Sequence, residues 1–126
     1  MTAPHAQGAG IPFWKMSGSG NDFVVIDNRQ GVLAAADAPE FARAVCRRRV
    51  SVGADGVVLI ESSDEPGVHF RWRYLNADGS DGEMCGNGAM CGARFAVLNH
   101  MAPPACVFRT ESGLVHAWVD PDESSS

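Results

Sequence analysis

The segment from Gly86 to His100 constrains the fold of this chain most, because it has the length of a helix and almost no polar face. Its apolar residues surround a helical axis rather than lining one side: Ala89, Met90, Cys91, Ala93, Phe95, Ala96, Val97 and Leu98. A helix that is apolar on most sides is enclosed by other elements. Pro103 and Pro104 are expected to stop it. The rest of the chain therefore has to build a structure around one buried helix.

Short apolar or alternating segments predict the strands that would enclose this helix. We expect strands at residues 11–16, 23–26, 57–60, 68–75, 106–110 and 114–119, and a first helix at residues 39–47. Within residues 68–75, three aromatic residues alternate with three basic ones, which predicts one buried face: Phe70, Trp72 and Tyr74 against His69, Arg71 and Arg73. The predicted fold class is α+β, with a curved mixed or antiparallel sheet wrapped around a buried central helix.

The chain of 126 residues is long enough for one domain with its own core. We expect a flexible lead at residues 1–10, a single lobe at residues 11–120 and a frayed or truncated end at residues 121–126. The first ten residues lack the basic and apolar regions of a signal peptide, and no apolar run approaches the length of a membrane span. These features predict a cytoplasmic protein without a membrane partner.

The charged residues and cysteines exclude several classes of function. The formal net charge is −5, and the basic residues form one run, Arg47 to Arg49, which is either a solvated helix end or an anion contact. No nucleic-acid partner is expected. The four cysteines, Cys46, Cys85, Cys91 and Cys106, lack the spacing of a zinc site and are expected to be reduced thiols, so no metal is predicted.

Cofactor motifs are equally sparse. Lys15 is the only lysine, so a pyridoxal-phosphate Schiff base would have to use it, and it does not lie in a recognisable cofactor loop. The sequence has no glycine-rich phosphate loop of the G-x-x-x-x-G-K-[ST] type. The sequence therefore offers no recognisable pyridoxal-phosphate or P-loop motif.

Cys85 lies where a turn-rich segment meets the predicted central helix. It is followed by Gly86, Asn87 and Gly88, which an apolar core position for the cysteine would not require. A helix N-terminus presents unpaired N–H donors and lowers the pKa of a thiol placed there. The segment therefore combines a candidate catalytic thiol with a candidate anion-binding site.

Four blocks of sequence resemble the diaminopimelate epimerase family. They are Lys15-Met16-x-Gly18-x-Gly20-Asn21-Asp22-Phe23, Val52-Gly53-Ala54-Asp55-Gly56, Asn76-Ala77-Asp78-Gly79-Ser80 and Cys85-Gly86-Asn87-Gly88. The blocks follow the order and spacing of that family from Lys15 to about Phe95. The fold that the resemblance implies is one lobe of a two-lobed, diaminopimelate epimerase-like protein.

The resemblance also implies a function, namely a cofactor-independent isomerase that interconverts LL- and meso-diaminopimelate for lysine and peptidoglycan synthesis. In such enzymes one thiolate removes the α-proton and a second thiol protonates the opposite face. Cys85 matches the catalytic cysteine of the first lobe. The positions that match substrate contacts are Asn21, Asn76, Gly86 and Asn87. For Asn76 and Asp78, a plain turn explains the residue types equally well.

The sequence departs from the family at two positions and in length. Ser17 replaces a usual histidine, and Met90 replaces a usual arginine. The resemblance implies a second lobe that carries the second cysteine, and none of Cys46, Cys91 and Cys106 matches that position. The expected partners are therefore an amino-acid substrate, the missing C-terminal lobe and, through an open sheet edge, a further copy of the chain in a homo-oligomer.

Two other functions remain open from the sequence. One is an amino-acid racemase or isomerase of the same superfamily with another substrate, as in proline racemase-like or phenazine-pathway proteins. The other is a noncatalytic single-lobe binding module that kept the fold.

Overall fold

In the computed structural model, the described residues are 5–7, 11–18, 20–47, 54–82 and 86–120. They form seven strands and two helices, and the strands make one sheet in the order β1 to β7. The strands are β1 (His5–Gln7), β2 (Ile11–Gly18), β3 (Asn21–Asp27), β4 (Gly56–Glu61), β5 (Phe70–Asn76), β6 (Ala105–Thr110) and β7 (Gly113–Trp118). The helices are α1 (Ala38–Val45), between β3 and β4, and α2 (Gly86–Leu98), between β5 and β6. The predicted α+β class and mixed sheet are confirmed.

The order of parallel and antiparallel pairs places the two helices on opposite faces of the sheet. β3 pairs with β4 and β5 with β6 in parallel, whereas every other neighbouring pair is antiparallel. Because β4 and β5 are antiparallel, the two parallel pairs point in opposite directions. Right-handed crossovers that advance the same way across the sheet then lie on opposite faces. The packing agrees, since α1 and α2 belong to separate core clusters.

Strands β3 and β4 are buried on both faces. Phe23 and Val25 pack in the cluster of α2, whereas Val24 and Ile26 pack in the cluster of α1. Successive side chains of a strand point to opposite faces, so a strand covered by helices on both sides has to be continuously apolar. The compact apolar run predicted as a buried strand is confirmed. It is two residues longer than predicted at its start because the turn residues Asn21 and Asp22 also pair with β2.

Helix α2 is the enclosed helix that its composition predicted. It packs against β2, β3, β4 and β5. Eight of its residues are buried: Gly88, Ala89, Cys91, Gly92, Ala93, Phe95, Ala96 and Val97. A Cβ atom added at Gly92 would lie 2.7 Å from Cδ1 of Trp72, so this glycine permits the helix to approach β5 closely.

The end of α2 differs from the prediction by two residues. The helix ends at Leu98, and His100 adopts a left-handed conformation with φ 60°. The backbone N–H groups of His100 and Met101 donate to the carbonyl oxygens of Val97 and Ala96, which is a Schellman motif. This local turn ends the helix before Pro103 and Pro104 are reached.

The predicted flexible lead contains a strand. His5–Gln7 pairs antiparallel with β2, in register with Ile11 to Phe13. Strand β1 was not predicted from the sequence, because a three-residue strand on a sheet edge carries no periodic signal of its own and is defined by its partner. Residues 121–126, the predicted frayed end, lie outside the described residues.

The other edge of the sheet is β7, and its outward side chains include two large apolar ones. Leu114 and Trp118 are 45% and 66% exposed.

Arg71 and Arg73 of β5 lie on the face opposite the buried Phe70 and Trp72, which confirms the predicted alternation. In the described part of the chain, neither helix is long and apolar enough to span a membrane.

Candidate functional site

One end of the sheet brings together residues from all four sequence blocks that carry the family resemblance. We call it the site end: the starts of β3 and β4, the end of β5 and the first turn of α2. Cross-strand register aligns Phe23 of β3 with Gly56 of β4, and Gly56 with Asn76 of β5. Because β5 runs antiparallel to β4, the last residue of β5 lies beside the first residue of β4. The turn after β5 and the chain entering α2 therefore begin at this end.

Asn21 and Asn87 are in direct contact there. The side-chain nitrogen of Asn87, in the first turn of α2, donates to the side-chain oxygen of Asn21 at 2.9 Å. Both residues are half-buried. Gly86 is exposed, and a Cβ atom added to it would meet no atom within 4 Å, so the start of the helix is open to solvent. These three predicted substrate contacts are thus grouped at one helix N-terminus, where unpaired N–H donors favour an anion.

Cys85, the predicted catalytic residue, lies outside the described residues. It is covalently joined to Gly86, the first residue of α2. Its catalytic role stays a prediction.

Asp55 fixes the start of β3 from the neighbouring strand. Its backbone N–H donates to the carbonyl oxygen of Asp22 at 2.8 Å, and its carboxylate accepts from the backbone N–H of Asp22 at 2.7 Å. The same carboxylate oxygen lies 3.5 Å from the side-chain nitrogen of Asn21. Asp55 lies in one of the four sequence blocks, but no role was predicted for it from the sequence. A charged residue beside a glycine before a strand signals a turn, and only the fold brings it to Asn21.

Asn76 is held by its own turn rather than by the Asn21–Asn87 pair. Its side-chain nitrogen donates to the hydroxyl of Ser80 at 3.0 Å, and that hydroxyl donates to the carboxylate of Asp78 at 2.6 Å. Hydrogen bonds from the side chain and backbone of Ser80 lower the pKa of Asp78. A Cβ atom added at Gly82 would lie 3.1 Å from Oδ1 of Asn76, so the Asn76 side chain borders the chain that leads to residues 83–85. The turn role of Asn76 is confirmed, and its substrate role stays a prediction.

Aromatic side chains of the sheet contact the first turn of α2. The indole N–H of Trp72 donates to the carbonyl oxygen of Gly88 at 3.1 Å, in a buried position. A Cβ atom added at Gly88 would lie 3.4 Å from Trp72 and 3.5 Å from Phe23. The alternation in β5 predicted that Trp72 is buried, but its hydrogen bond to α2 requires the tertiary structure.

Tyr74 occupies a narrow space between two glycines at the site end. A Cβ atom added at Gly56 would lie 2.3 Å from the hydroxyl oxygen of Tyr74, and one at Gly82 would lie 2.3 Å from its ring. The Tyr74 ring also stacks on Trp72, with centroids 5.8 Å apart and planes 12° apart. Both glycines are therefore needed for the ring to lie against the backbone.

The two departures from the family pattern fall in different surroundings. The hydroxyl of Ser17 donates to the carboxylate of Asp22 at 2.5 Å, and Lys15 lies 3.6 Å from the same carboxylate. Ser17 thereby helps to hold the residue that follows Asn21. Met90 is 43% exposed on α2, so an arginine at this position would reach solvent.

The cysteines in the described part of the chain, Cys46, Cys91 and Cys106, are all buried and none forms a disulfide. Burial raises the pKa of the Cys106 thiol. Cys91 packs within the core cluster of α2. Among the described residues, no group of three or more histidines, cysteines and acidic residues is placed to hold a metal ion.

Proteins of known structure share this fold. A phenazine biosynthesis protein of the PhzF family from Bacillus anthracis superposes with a TM-score of 0.64 at 16% identity, covering 88% of this chain and 35% of that one. A methylitaconate-delta-isomerase superposes with a TM-score of 0.69 at 13% identity, covering 87% of this chain and 35% of the other. This sheet and its buried helix therefore define the chain as one lobe of a protein of that fold class.

The sequence identifies the family within this class. The family model described as diaminopimelate epimerase matches residues 13–125. The diaminopimelate epimerase of Hydrogenobaculum sp. (strain Y04AAS1) is 46% identical over 111 residues, which cover 83% of this chain and 40% of that protein. The chain belongs to the diaminopimelate epimerase family and spans about two fifths of the length of such relatives. The resemblance found in the four sequence blocks is confirmed.

Proposed function

We propose that this chain is the first lobe of a diaminopimelate epimerase, which interconverts LL- and meso-diaminopimelate by proton transfer at the α-carbon. The observation that carries the proposal is the family match over residues 13–125, in a chain that joins Asn87 to Asn21 at the open start of α2. Lysine and peptidoglycan precursor synthesis in the cytoplasm is the corresponding setting. The substrate in this proposal is a small amino acid.

The chemistry requires a base, an acid and stabilisation of negative charge. An α-proton beside a carboxylate is weakly acidic, so charge developing on that carboxylate has to be stabilised in the transition state. The N–H groups at the start of α2 are suited to this task, and one donor of this kind contributes about 3 kcal/mol in other enzymes. Cys85 precedes these groups in the chain, where the helix dipole favours a thiolate.

The second thiol in this proposal belongs to a second lobe. The three cysteines in the described part of the chain, Cys46, Cys91 and Cys106, are buried in this lobe, which leaves the opposite face of a bound α-carbon to another part of the protein. The span of two fifths of the relatives' length is consistent with that division. No cofactor takes part in the proposed reaction, because the two thiols and the helix N-terminus supply its acid, base and charge stabilisation.

Deuterium exchange tests the proposal directly. The full-length protein is incubated with LL-diaminopimelate in D₂O, and α-deuterium incorporation is followed by mass spectrometry. Cys85→Ala is expected to abolish the formation of meso-diaminopimelate, whereas Cys46→Ala, at a buried cysteine beside α1, is the matched control and retains it. Unchanged epimerisation in Cys85→Ala would remove this cysteine from the mechanism.

Thiol reactivity gives a second, independent measure of Cys85. A helix-activated thiol reacts with iodoacetamide near neutral pH, whereas an ordinary free cysteine has a pKa of about 8.5. The alkylation rate of the full-length protein is measured between pH 5 and 10 by peptide mass spectrometry. Reaction only at alkaline pH would contradict the activated thiolate.

A second candidate is an amino-acid racemase or epimerase of the same fold with another substrate. The exposed Met90 supports this second candidate, because the positive charge of the arginine that is usual in the family at this position is missing from α2. The same exchange experiment with a panel of other L-amino acids separates the two. Exchange confined to diaminopimelate supports the first proposal, and exchange with another substrate supports the second.

A further inference from the structure

We infer that Asp55 is a positioning residue, which sets the orientation of the Asn21 and Asn87 amides at the start of α2. The inference rests on the proposed function for its catalytic consequence, but the geometry involves described residues alone. Asp55 comes from the segment before β4, Asn21 from the start of β3 and Asn87 from α2. Three separate elements therefore meet through these side chains.

The backbone holds the Asp55 carboxylate in one place. Asp55 and Asp22 exchange two hydrogen bonds, one from each backbone N–H, of 2.8 Å and 2.7 Å. The bond that the carboxylate accepts from the Asp22 N–H leaves little freedom to the oxygen that also faces Asn21. On the other side, Ser17 and Lys15 hold the Asp22 carboxylate, so the backbone that carries Asn21 is fixed from both neighbouring strands.

The chemistry of each group then fixes the next. An ionised carboxylate only accepts hydrogen bonds, so Asn21 has to turn its amide nitrogen towards Asp55. The Asn21 oxygen is consequently turned away, and it accepts from the Asn87 nitrogen at 2.9 Å. Asn87 therefore directs its nitrogen to Asn21 and its oxygen elsewhere. The direction of both amides therefore follows from a single negative charge, which Asp55 places beside Asn21 and which reaches Asn87 through the Asn21 amide.

Asp55→Asn tests this inference because it keeps the size of the side chain and removes the negative charge. An asparagine at position 55 can still accept from the Asp22 N–H with its amide oxygen, but this uncharged oxygen attracts the Asn21 amide nitrogen less strongly, so Asn21 is held less firmly in its orientation. Asp27→Asn is the matched control. It removes a carboxylate from the far end of β3, the strand that begins at Asn21, where Asp27 bonds to Arg29 and not to the asparagine pair.

The first readout does not depend on activity. In full-length protein labelled with ¹⁵N-asparagine, the side-chain amide resonances of Asn21 and Asn87 are compared by NMR. Asp55→Asn is expected to shift both, including that of Asn87, whereas Asp27→Asn leaves both unchanged. An unchanged Asn87 amide in a folded Asp55→Asn variant would overturn the inference.

The second readout is a double-mutant cycle on the exchange rate. Asp55→Asn alone is expected to lower kcat by 10- to 100-fold, on the order of the cost of a small misplacement of contact groups. In an Asn21→Ala background the same substitution is expected to have no further effect, because Asp55 acts through Asn21. Independent, multiplicative losses would show a merely structural role and overturn the inference. If the parent protein catalyses no exchange while the amide shifts occur, the proposed function fails and the positioning role of Asp55 stands.

Discussion

Asn21 begins strand β3 and Asn28 directly follows its last residue, and the surroundings of the two asparagines differ. At the far end, Asn28 is buried, its amide group exchanges hydrogen bonds with the backbone of Leu33, and it also donates to Glu61. At the site end, half-buried Asn21 is bonded to the side chains of Asn87 and Asp55. The hydrogen bonds of Asn28 pair the backbone groups of the buried Leu33, so they hold the chain in place after β3. Bonds between half-buried side chains can be exchanged for a ligand at little cost. This difference separates a structural asparagine from a candidate binding one.

The largest expected effect is the loss of stability when the structural asparagine, Asn28, is replaced. Asn28→Ala leaves the buried N–H and carbonyl groups of Leu33 without partners, so we expect a loss of about 2–4 kcal/mol in the free energy of unfolding. Asn21→Ala removes more exposed contacts and is expected to cost about 1 kcal/mol or less. Urea unfolding followed by tryptophan fluorescence measures both. Equal losses at the two positions would contradict the distinction.

The glycines of the site end provide the next test. Gly56→Ala places a Cβ atom within 2.3 Å of the Tyr74 hydroxyl oxygen, and that ring is confined by Gly82 and Trp72. We expect a loss of about 1–3 kcal/mol, the usual cost of overpacking. Gly86→Ala is the control, because the added atom meets nothing within 4 Å and stability should stay within about 0.5 kcal/mol. Thermal unfolding of both variants would show whether the close approach at Gly56 is needed.

Two aspartates, one at each end, have lowered pKa values for different reasons. Burial would raise the pKa of Asp27, but hydrogen bonds and the charge of Arg29 outweigh it. Asp78 is lowered mainly by hydrogen bonds from Ser80. A lowered folded-state pKa means that the stabilising contribution is present above the ordinary value of 3.8 and is lost as the pH falls through the folded value.

Salt separates these two causes, because it screens charges more than it weakens neutral hydrogen bonds. In NMR titrations at 1 M NaCl, we expect the pKa of Asp27 to move up towards its ordinary value and that of Asp78 to change less. Ser80→Ala should raise the pKa of Asp78 alone. A larger effect of salt on Asp78 than on Asp27 would mean that its nearby Arg43, rather than Ser80, holds it down.

The smallest expected effects concern two left-handed turns, one after α2 and one before β3. His100, after α2, has φ 60°, and Gly20, before β3, has φ 89°. His100→Gly should stabilise the protein by about 0.5–1 kcal/mol by relieving a conformation that side chains disfavour. Gly20→Ala should destabilise it by about 1 kcal/mol although the site has room for the added atom. Opposite signs are the result to look for in thermal unfolding, and a destabilised His100→Gly would indicate a favourable contact of the imidazole.

Much of the fold could be predicted from the sequence because its signals are local. The enclosed helix followed from apolar residues on all its sides, and the alternation in β5 followed from a period of two. Boundaries were less predictable. The end of α2 was placed at His100 rather than Leu98, because a Schellman turn without glycine has no clear sequence signature. The strand β1 was missed because it exists through its pairing with β2.

The candidate site likewise combines features that the sequence predicts with features that only the fold determines. The sequence by itself determined the family, the cysteine that precedes α2 and the asparagines that accompany it, because these residue types recur in fixed short blocks. The tertiary structure alone decided that Asn87 reaches Asn21 across 66 residues of chain. It also decided that Asp55 and Trp72, to which the sequence assigned no role in the site, support that contact. Hydrogen-bond partners of this kind are set by how strands and helices align in space, and no local pattern encodes that alignment.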